Sequence, residues 1–239
     1  MLAIAGIKVE HIAKNYTVAG TSIEVLRDLN FELDANAITV IIGKSGCGKT
    51  TFLKIVSGME KADSGRIVMS EEEKIGMVFQ EPRLMPWLNC WQNISFGLNK
   101  KMLDERYIAD LIDKMGLKGF EKAYPNQLSG GMQQRTALAR ALAYNPSLIL
   151  MDEPFAALDF FTRGIMQQEL VNLQITKQRS IIFVTHSIDE ALLLGQKIIV
   201  LKDGLVKAEY ALSNFSYPRD ALSDPLIKLK RDILRIMKD

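Results

Sequence analysis

Residues 43–50 read GKSGCGKT, a spacing of glycines, lysine and threonine that suits the binding of phosphate groups. Gly43, Gly46 and Gly48 let the backbone curl so that successive N–H groups face inward around an anion. Lys49 would bring a positive charge to the β- and γ-phosphates, and Thr50 a hydroxyl to Mg²⁺. The loop follows a predicted strand and opens a predicted helix, whose N-terminus adds positive potential. The stretch therefore predicts a nucleotide-binding loop.

The candidate nucleotide-binding residues also include the other members of this loop and the residue after it: Lys44, Ser45, Cys47 and Thr51. We interpret Cys47 as a residue that fills space in the loop rather than as a redox group. The chain has 2 cysteines, which is too few for a disulfide framework and favours a reducing cytosol.

Two adjacent carboxylates follow an apolar run in LILMDE, residues 148–153. At the end of a buried strand beside the phosphate loop, Asp152 would hold Mg²⁺ through water. Glu153, one residue further, would face the γ-phosphate and polarise a water molecule. The alternative is an ordinary polar strand end, but the phosphate loop favours the magnesium site.

A second glycine pair lies in LSGGMQQR, residues 128–135, and a helical pattern follows it. Ser129 occupies the position of an N-cap, and Pro146 follows the end of the helix. A second glycine-rich helix start indicates a second contact with a phosphate, beyond the one at residues 43–50.

Composition limits the function classes. The chain has 239 residues, 48% of them hydrophobic and 24% charged, with a net charge of +2. These values indicate a soluble globular protein and give no case for binding nucleic acid. The longest apolar runs are far shorter than the ~18 residues of a membrane span. The N-terminus lacks the basic region of a signal peptide.

The hydrophobic periodicity predicts alternating strands and helices. Antiparallel strands that lead into one buried strand are expected within residues 4–42, and the helix after the phosphate loop should stop at Gly58. GRIVM and KIGMVF are predicted as a strand pair, residues 91–119 as helical, and SLILM and SIIFVTH as strands of a parallel sheet. KIIVLKDGLVKAEY is typical of a hairpin, and the amphipathic C-terminal helix should pack on its own domain.

Together, the phosphate loop, LSGGM and the Asp-Glu strand resemble the nucleotide-binding subunit of an ATP-binding cassette (ABC) transporter. The resemblance covers nearly the whole chain. It implies an α/β fold, with a P-loop NTPase core built on a parallel sheet, an antiparallel β subdomain and a helical signature subdomain. It also implies a single domain over 1–239, with its core and β part at about 1–80 and 147–239 and its helical part at about 81–146.

The same resemblance assigns four further residues. Gln80 in VFQEP resembles the glutamine that touches Mg²⁺ or water and senses the membrane subunit. Asp159 ends the AALD stretch, which resembles the D-loop. His186 in VTHSIDEA resembles the switch histidine at the γ-phosphate, and Tyr16 resembles the aromatic residue that stacks on adenine.

In this family two subunits meet head to tail about a two-fold axis. The signature of one subunit, which is LSGGM (residues 128–132) in this chain, covers the ATP of the other. Ser129, Gly130 and Gly131 would therefore contact the γ-phosphate on a second copy of this chain. The second phosphate contact then belongs to the partner's nucleotide.

Residues 79–98 and YPNQLSGGMQQR resemble the nitrate, sulfonate and taurine importer group. PRLMPW would line a groove for a helix of a separate permease, so Trp87 is expected to be exposed. The subunit would then lie at the cytoplasmic face of the cell membrane, and a solute-binding protein would choose the cargo. The alternatives are an exporter ATPase, or a non-transport ABC ATPase acting on nucleic acid or ribosomes.

Overall fold

The computed structural model describes residues 6–70, 73–99 and 103–238. Residues 4 and 5 of the predicted β region lie outside this part. The strands are β1 (Ile7–Val18), β2 (Thr21–Leu33), β3 (Ile38–Ile42), β4 (Ser64–Val68), β5 (Ile75–Val78), β6 (Leu148–Asp152), β7 (Ser180–Thr185), β8 (Lys197–Lys202) and β9 (Leu205–Ala211). The helices are α1 (Lys49–Val56), α2 (Cys90–Ile94), α3 (Glu105–Lys114), α4 (Gly130–Ala143), α5 (Phe160–Lys177), α6 (Ile188–Leu194) and α7 (Asp224–Lys238), with a 3₁₀ turn at Pro125–Gln127.

The described residues form two compact units, one within Met1–Glu73 and Gln174–Asp239 and the other within Lys74–Leu173. In the first unit, β3 pairs in parallel with β7 and with β8. Every residue of β3 and β7 is buried, as expected for parallel strands covered on both faces. β9 returns antiparallel to β8 through the predicted turn, where Asp203 and Gly204 both have positive φ.

An antiparallel sheet in the order β2-β1-β4 completes the first unit. β1 and β2 form a long hairpin in which Ile7 pairs with Leu33 at one end and Val18 with Thr21 at the other. Phe31 of β2 packs on Phe52 of α1 with ring centroids 5.3 Å apart. This aromatic contact joins the antiparallel sheet to the helix that follows the phosphate loop.

The predicted pairing of GRIVM with KIGMVF is wrong. GRIVM lies in β4, which pairs antiparallel with β1, and KIGMVF contains β5, which pairs in parallel with β6. Both runs were correctly recognised as strands, but each finds its partner far away in sequence. Local periodicity cannot distinguish these pairings, because it reports which face of a strand is apolar and not which strand covers its edge.

In the second unit, the predicted helical region 91–119 contains two separate helices, α2 and α3. Each begins at a side-chain cap: Asn89 accepts the backbone N–H of Gln92, and Asp104 accepts those of Arg106 and Tyr107. α2 and α3 both pack on α4. The C-terminal helix α7 belongs to the first unit, where it packs on α6 and β8 as predicted.

The backbone conformation of the phosphate loop requires glycine at two of its positions. Gly46 has φ +83° and Gly48 has φ +103°, a region that residues with a Cβ atom rarely adopt. A Cβ on Gly48 would also lie 2.4 Å from Leu26 Cδ2, whereas a Cβ on Gly46 would meet nothing within 4 Å. Gly48 therefore has two independent reasons to be glycine, and Gly46 has one.

This difference predicts how alanine affects the two positions. Gly46→Ala should lower the free energy of unfolding by about 1–2 kcal/mol, the cost of a left-handed alanine. Gly48→Ala should cost about 2–4 kcal/mol, because overpacking against Leu26 adds to the strain. Urea unfolding of the nucleotide-free chain measures both, and equal losses would mean that the neighbouring side chain moves away without cost.

Candidate functional site

The ammonium group of Lys49 lies inside the curl of the phosphate loop. The residue is only 5% exposed. Its Nζ donates to the carbonyls of Gly43 at 2.8 Å and Lys44 at 3.0 Å. A buried charge needs such partners, and the loop supplies them from its own backbone. Thr50 and Thr51 follow in the first turn of α1, where Thr50 is exposed and Thr51 is half-buried.

Cys47 fills the loop between this lysine and the neighbouring strand. A Cβ on Gly43 would lie 2.5 Å from Cys47 Sγ and 2.2 Å from the carbonyl oxygen of Leu201. Burial raises the pKa of the Cys47 thiol, although the charge of Lys49 opposes the shift. The thiol is therefore neutral near pH 7, which agrees with the interpretation of Cys47 as a packing residue.

A cavity of about 380 Å³ is lined by the loop residues Lys44, Ser45, Gly46 and Cys47. Its other walls come from β2, the end of β8 with the following turn, and α7: Glu24, Val25, Arg27, Leu201, Lys202, Asp203, Gly204 and Met237. No local pattern of residues predicts this cavity, because its walls come from four segments that are distant in sequence.

Tyr16 lies near the end of β1, opposite Ile23 of β2, and is half-buried. The ammonium of Lys14 lies 5.4 Å from the centre of its ring. Hydrogen bonds to Glu60 and then to Asp63 raise the pKa of Lys14, so it stays charged beside the ring. The structure thus gives Tyr16 a defined position on the hairpin in the same unit as the phosphate loop.

His186 follows directly after β7 and is exposed. The turn that presents it is fixed from within: Thr185 donates its hydroxyl to buried Glu190, and Ser187 caps α6 by accepting the N–H of Glu190. The same Thr185 oxygen accepts the backbone N–H of Ser187 at 3.0 Å. These contacts hold the backbone on both sides of His186.

In the second unit, the two adjacent carboxylates differ sharply in environment. Asp152 is the last residue of the fully buried strand β6 and is itself buried. Glu153 is half-buried and has φ +44°, in the left-handed region that non-glycine residues seldom adopt. Strained backbone of this kind concentrates at functional sites. The strain turns Glu153 out of the strand direction directly after Asp152.

Gln80 is exposed just beyond β5. Ser129 and Gly130 are also exposed, at the start of α4, and Gly131 is half-buried. Ser129 caps the helix as predicted, since its hydroxyl accepts the backbone N–H of Met132 at 3.2 Å. The N–H groups of the two glycines lie in the first turn, where a helix provides no backbone acceptors for them.

Asp159 caps the following helix, α5. Its Oδ1 accepts the N–H groups of Phe161 at 3.1 Å and Thr162 at 3.0 Å. The hydrogen bond from the Thr162 side chain contributes most to lowering the pKa of Asp159, and the one from the Thr162 backbone contributes next. The carboxylate is therefore charged. Phe160 and Phe161 next to it are 81% and 80% exposed, an apolar pair that the sequence analysis missed.

Comparison with known proteins supports the assignment that these features suggest. Residues 26–156 match the family model described as ABC transporter. An ABC transporter ATP-binding protein of Methanocaldococcus jannaschii is 40% identical, covering 98% of this chain and 91% of its own length. An aliphatic sulfonates import ATP-binding protein of Bacillus thuringiensis subsp. konkukian is 39% identical, covering 96% of this chain and 94% of its own length.

A solved structure confirms the predicted fold. It is the dimeric structure of an ATP-binding cassette in a post-hydrolysis state, bound to ADP and Pi. Its TM-score is 0.79 at 32% identity, and the match covers 87% of this chain and 100% of that one. The chain therefore belongs to the ABC transporter family, and it is an ABC-type ATPase.

Proposed function

We propose that this chain is the ATP-hydrolysing subunit of an importer for a small anionic solute, such as an aliphatic sulfonate, taurine or nitrate. The observation that carries the ATP-hydrolysing role is the second capped helix start, at Ser129 and Gly130, which is exposed on the surface of its unit. Support for import comes from the name of the sulfonate relative. Among the described residues no helix has the length and hydropathy to cross a bilayer. In the proposed importer, a permease would provide the channel.

Two copies of the chain would bind ATP between them, head to tail. The phosphate loop of one copy would hold the nucleotide, and Ser129, Gly130 and Gly131 of the other would close over its γ-phosphate. A helix N-terminus with exposed N–H groups favours such an anion. The solved cassettes of similar fold are described as dimeric, which supports this arrangement. The exposed pair Phe160 and Phe161 follows Asp159, the last residue of the stretch that resembles the D-loop.

The donor set fits Mg²⁺. Thr50, Gln80 and Asp152 offer a hydroxyl, an amide oxygen and a carboxylate, all hard oxygen ligands of the kind this ion prefers. Bound there with ATP, the ion would neutralise charge on the β- and γ-phosphates. Asp152 ends a buried strand, so its carboxylate would be held in place without help from the ligand.

Hydrolysis requires a water oxygen to form a bond to the γ-phosphorus while the bond to the ADP oxygen breaks. Glu153 would accept the proton that this water loses. Lys49 would hold the phosphates, and His186 would contact the γ-phosphate from its fixed turn. Release of ADP and phosphate would remove the bridge between the two copies. This opening and closing would drive the permease, because ATP favours only the closed state.

Trp87 would be the contact with the permease. It is 68% exposed, as predicted, on a loop stiffened from beneath by buried Asn93. The Asn93 side chain accepts the N–H of Met85 at 2.8 Å and donates to the carbonyl of Leu88 at 2.8 Å. An exposed tryptophan on a rigid support is typical of an interface anchor. The permease would place this chain at the cytoplasmic face of the membrane, and a solute-binding protein would select the cargo.

Glu153→Gln tests the hydrolytic role. The amide keeps the shape of the side chain but loses its basicity, so turnover should fall about 10²–10⁴-fold while Mg-ATP still binds. Phosphate release measures turnover, and size-exclusion chromatography should show an ATP-dependent dimer. Exposed Glu105 provides the control, since Glu105→Gln should hydrolyse ATP normally. Normal turnover in Glu153→Gln would remove that residue from the role of base.

Trp87→Ala tests the permease contact. The melting temperature and basal ATPase activity should stay close to those of the parent chain, while co-purification with the permease should be lost. Half-buried Trp91 in α2 is the matched control: Trp91→Ala should lower the stability of the isolated chain by about 2–4 kcal/mol. A large drop in melting temperature for Trp87→Ala would instead assign that ring to internal packing.

A mixed dimer tests the head-to-tail arrangement. One copy carries Lys49→Ala and the other Gly130→Asp, with Glu153→Gln in both to block turnover. Gly130 suits this change, because an added Cβ meets nothing within 4 Å and an acidic residue is tolerated at a helix start. The new carboxylate should repel a partner's γ-phosphate.

If the signature contacts the partner's nucleotide, one site of this mixed dimer combines both substitutions. The other site then keeps an intact Lys49 and an intact Gly130. About one ATP should then be occluded per dimer, whereas each homodimer should occlude none. If assembly is verified and no ATP is occluded, the signature serves its own chain and the arrangement is wrong.

A further inference from the structure

Arg140 of helix α4 binds the backbone of the segment that follows β5, and this pair of hydrogen bonds is called the Arg140 grip. Its two terminal nitrogens donate to the carbonyls of Pro82 and Arg83, each at 2.9 Å. Burial lowers the pKa of this guanidinium, but arginine remains protonated in proteins and all its donors persist. A planar fork can bind two neighbouring acceptors at once, which a lysine ammonium cannot do in the same geometry.

A second side chain of the same helix holds the other end of this segment. Gln134, only 2% exposed, donates from Nε2 to the carbonyl of Phe79 at 3.1 Å. Gln80 therefore lies between two points that are both anchored to α4. Its backbone cannot shift relative to that helix without breaking hydrogen bonds from buried or half-buried donors.

Residues within this segment also contact each other. Arg83 has φ +46°, and its guanidinium lies 4.0 Å from the centre of the Phe79 ring. A left-handed arginine is an unfavourable conformation that persists only where its surroundings impose it. The Arg140 fork on the carbonyl of Arg83 is a contact that imposes it.

Helix α4 is a rigid support for this grip. The residues from Thr136 to Ala139 are all buried. β5, which leads into the gripped segment, runs close against the same helix: a Cβ on Gly76 would lie 3.2 Å from the carbonyl oxygen of Ala141. The N-terminus of α4 carries Ser129 and Gly130, so Gln80 and the signature residues are attached to one helix.

We infer that Arg140 is a positioning residue that fixes Gln80 relative to the signature at the start of α4. It would thereby set where Gln80 lies at its own chain's nucleotide when the signature contacts the partner's nucleotide. The inference rests on the proposed roles of Gln80 and Ser129. It adds a residue that touches no reacting atom and acts only through the backbone that carries Gln80. Movement of the loop beside the permease would then be passed to the signature helix through these hydrogen bonds.

Hydrogen exchange of the full chain tests the grip itself. In Arg140→Gln, we expect the amides of residues 80–85 to exchange about 10- to 100-fold faster, the effect of losing hydrogen bonds to a charged group. The phosphate loop and β3 should exchange as in the parent chain. Arg140→Lys, which keeps the charge but not the fork, should show a smaller increase. Exposed Arg106 is the control, since Arg106→Gln should leave residues 80–85 unchanged.

Steady-state ATPase measurements test whether the grip acts through Gln80. Arg140→Gln should lower kcat about 10- to 100-fold while KM for ATP stays within about two-fold, because the phosphate loop is untouched. In a double-mutant cycle, Gln80→Ala combined with Arg140→Gln should be no slower than Gln80→Ala alone. A purely stabilising arginine would give additive losses.

The outcomes separate this inference from the proposed function. Additive losses, or faster exchange spread over the whole second unit, would overturn the positioning role of Arg140 and leave the ATPase assignment intact. If Arg140→Gln does not fold, the same criteria apply to Arg140→Lys. Normal turnover in Gln80→Ala would overturn the role of Gln80, and with it the positioning role of Arg140.

Discussion

The buried charge of Lys49 is the constraint on which the nucleotide site depends. An ammonium removed from water must be compensated, and here the carbonyls of Gly43 and Lys44 compensate it. Those carbonyls can turn inward only because the loop visits left-handed backbone at Gly46 and Gly48. The fully buried strand β3 fixes where the loop begins, and the packing of α1 on β2 fixes where it ends. The packing of the fold therefore sets the position and shape of the phosphate loop.

The same division between rigid support and exposed chemistry recurs throughout the chain. His186, Gln80 and Ser129 are exposed, and each lies directly beside backbone that buried or capping groups hold in place. Glu153 adds backbone strain, at the step where a buried strand ends. Exposed groups held on rigid elements suit a site that closes on a ligand between two molecules, because little ordering remains to be done when the second molecule arrives.

Helix α4 connects other elements of the second unit through direct contacts. Its first turn carries the signature, its buried middle packs α2 and α3, and its polar side chains reach the loop after β5. The loop that presents Trp87 is braced by Asn93 from α2. Trp87 and Ser129 therefore belong to one packed body, which is the physical requirement for passing a movement from one to the other.

The sequence by itself determined the parts of this protein that depend on neighbours in the chain. The phosphate loop, the Ser129 cap and the Asp203-Gly204 turn follow from residue types at fixed short spacing, and the structure has each of them. The sequence also suggested an exposed Trp87, by resemblance to a family with a partner at that surface.

Only the tertiary structure decided which distant segments meet. It paired GRIVM with β1 and KIGMVF with β6, contrary to the local prediction. It placed Arg140 on the carbonyl of Arg83, and it placed Glu153 in a left-handed conformation. Backbone carbonyls and strand edges are alike at every residue, so no residue type marks the partner of such a bond. The partner is fixed by how the buried faces pack, which the linear order of residues does not express.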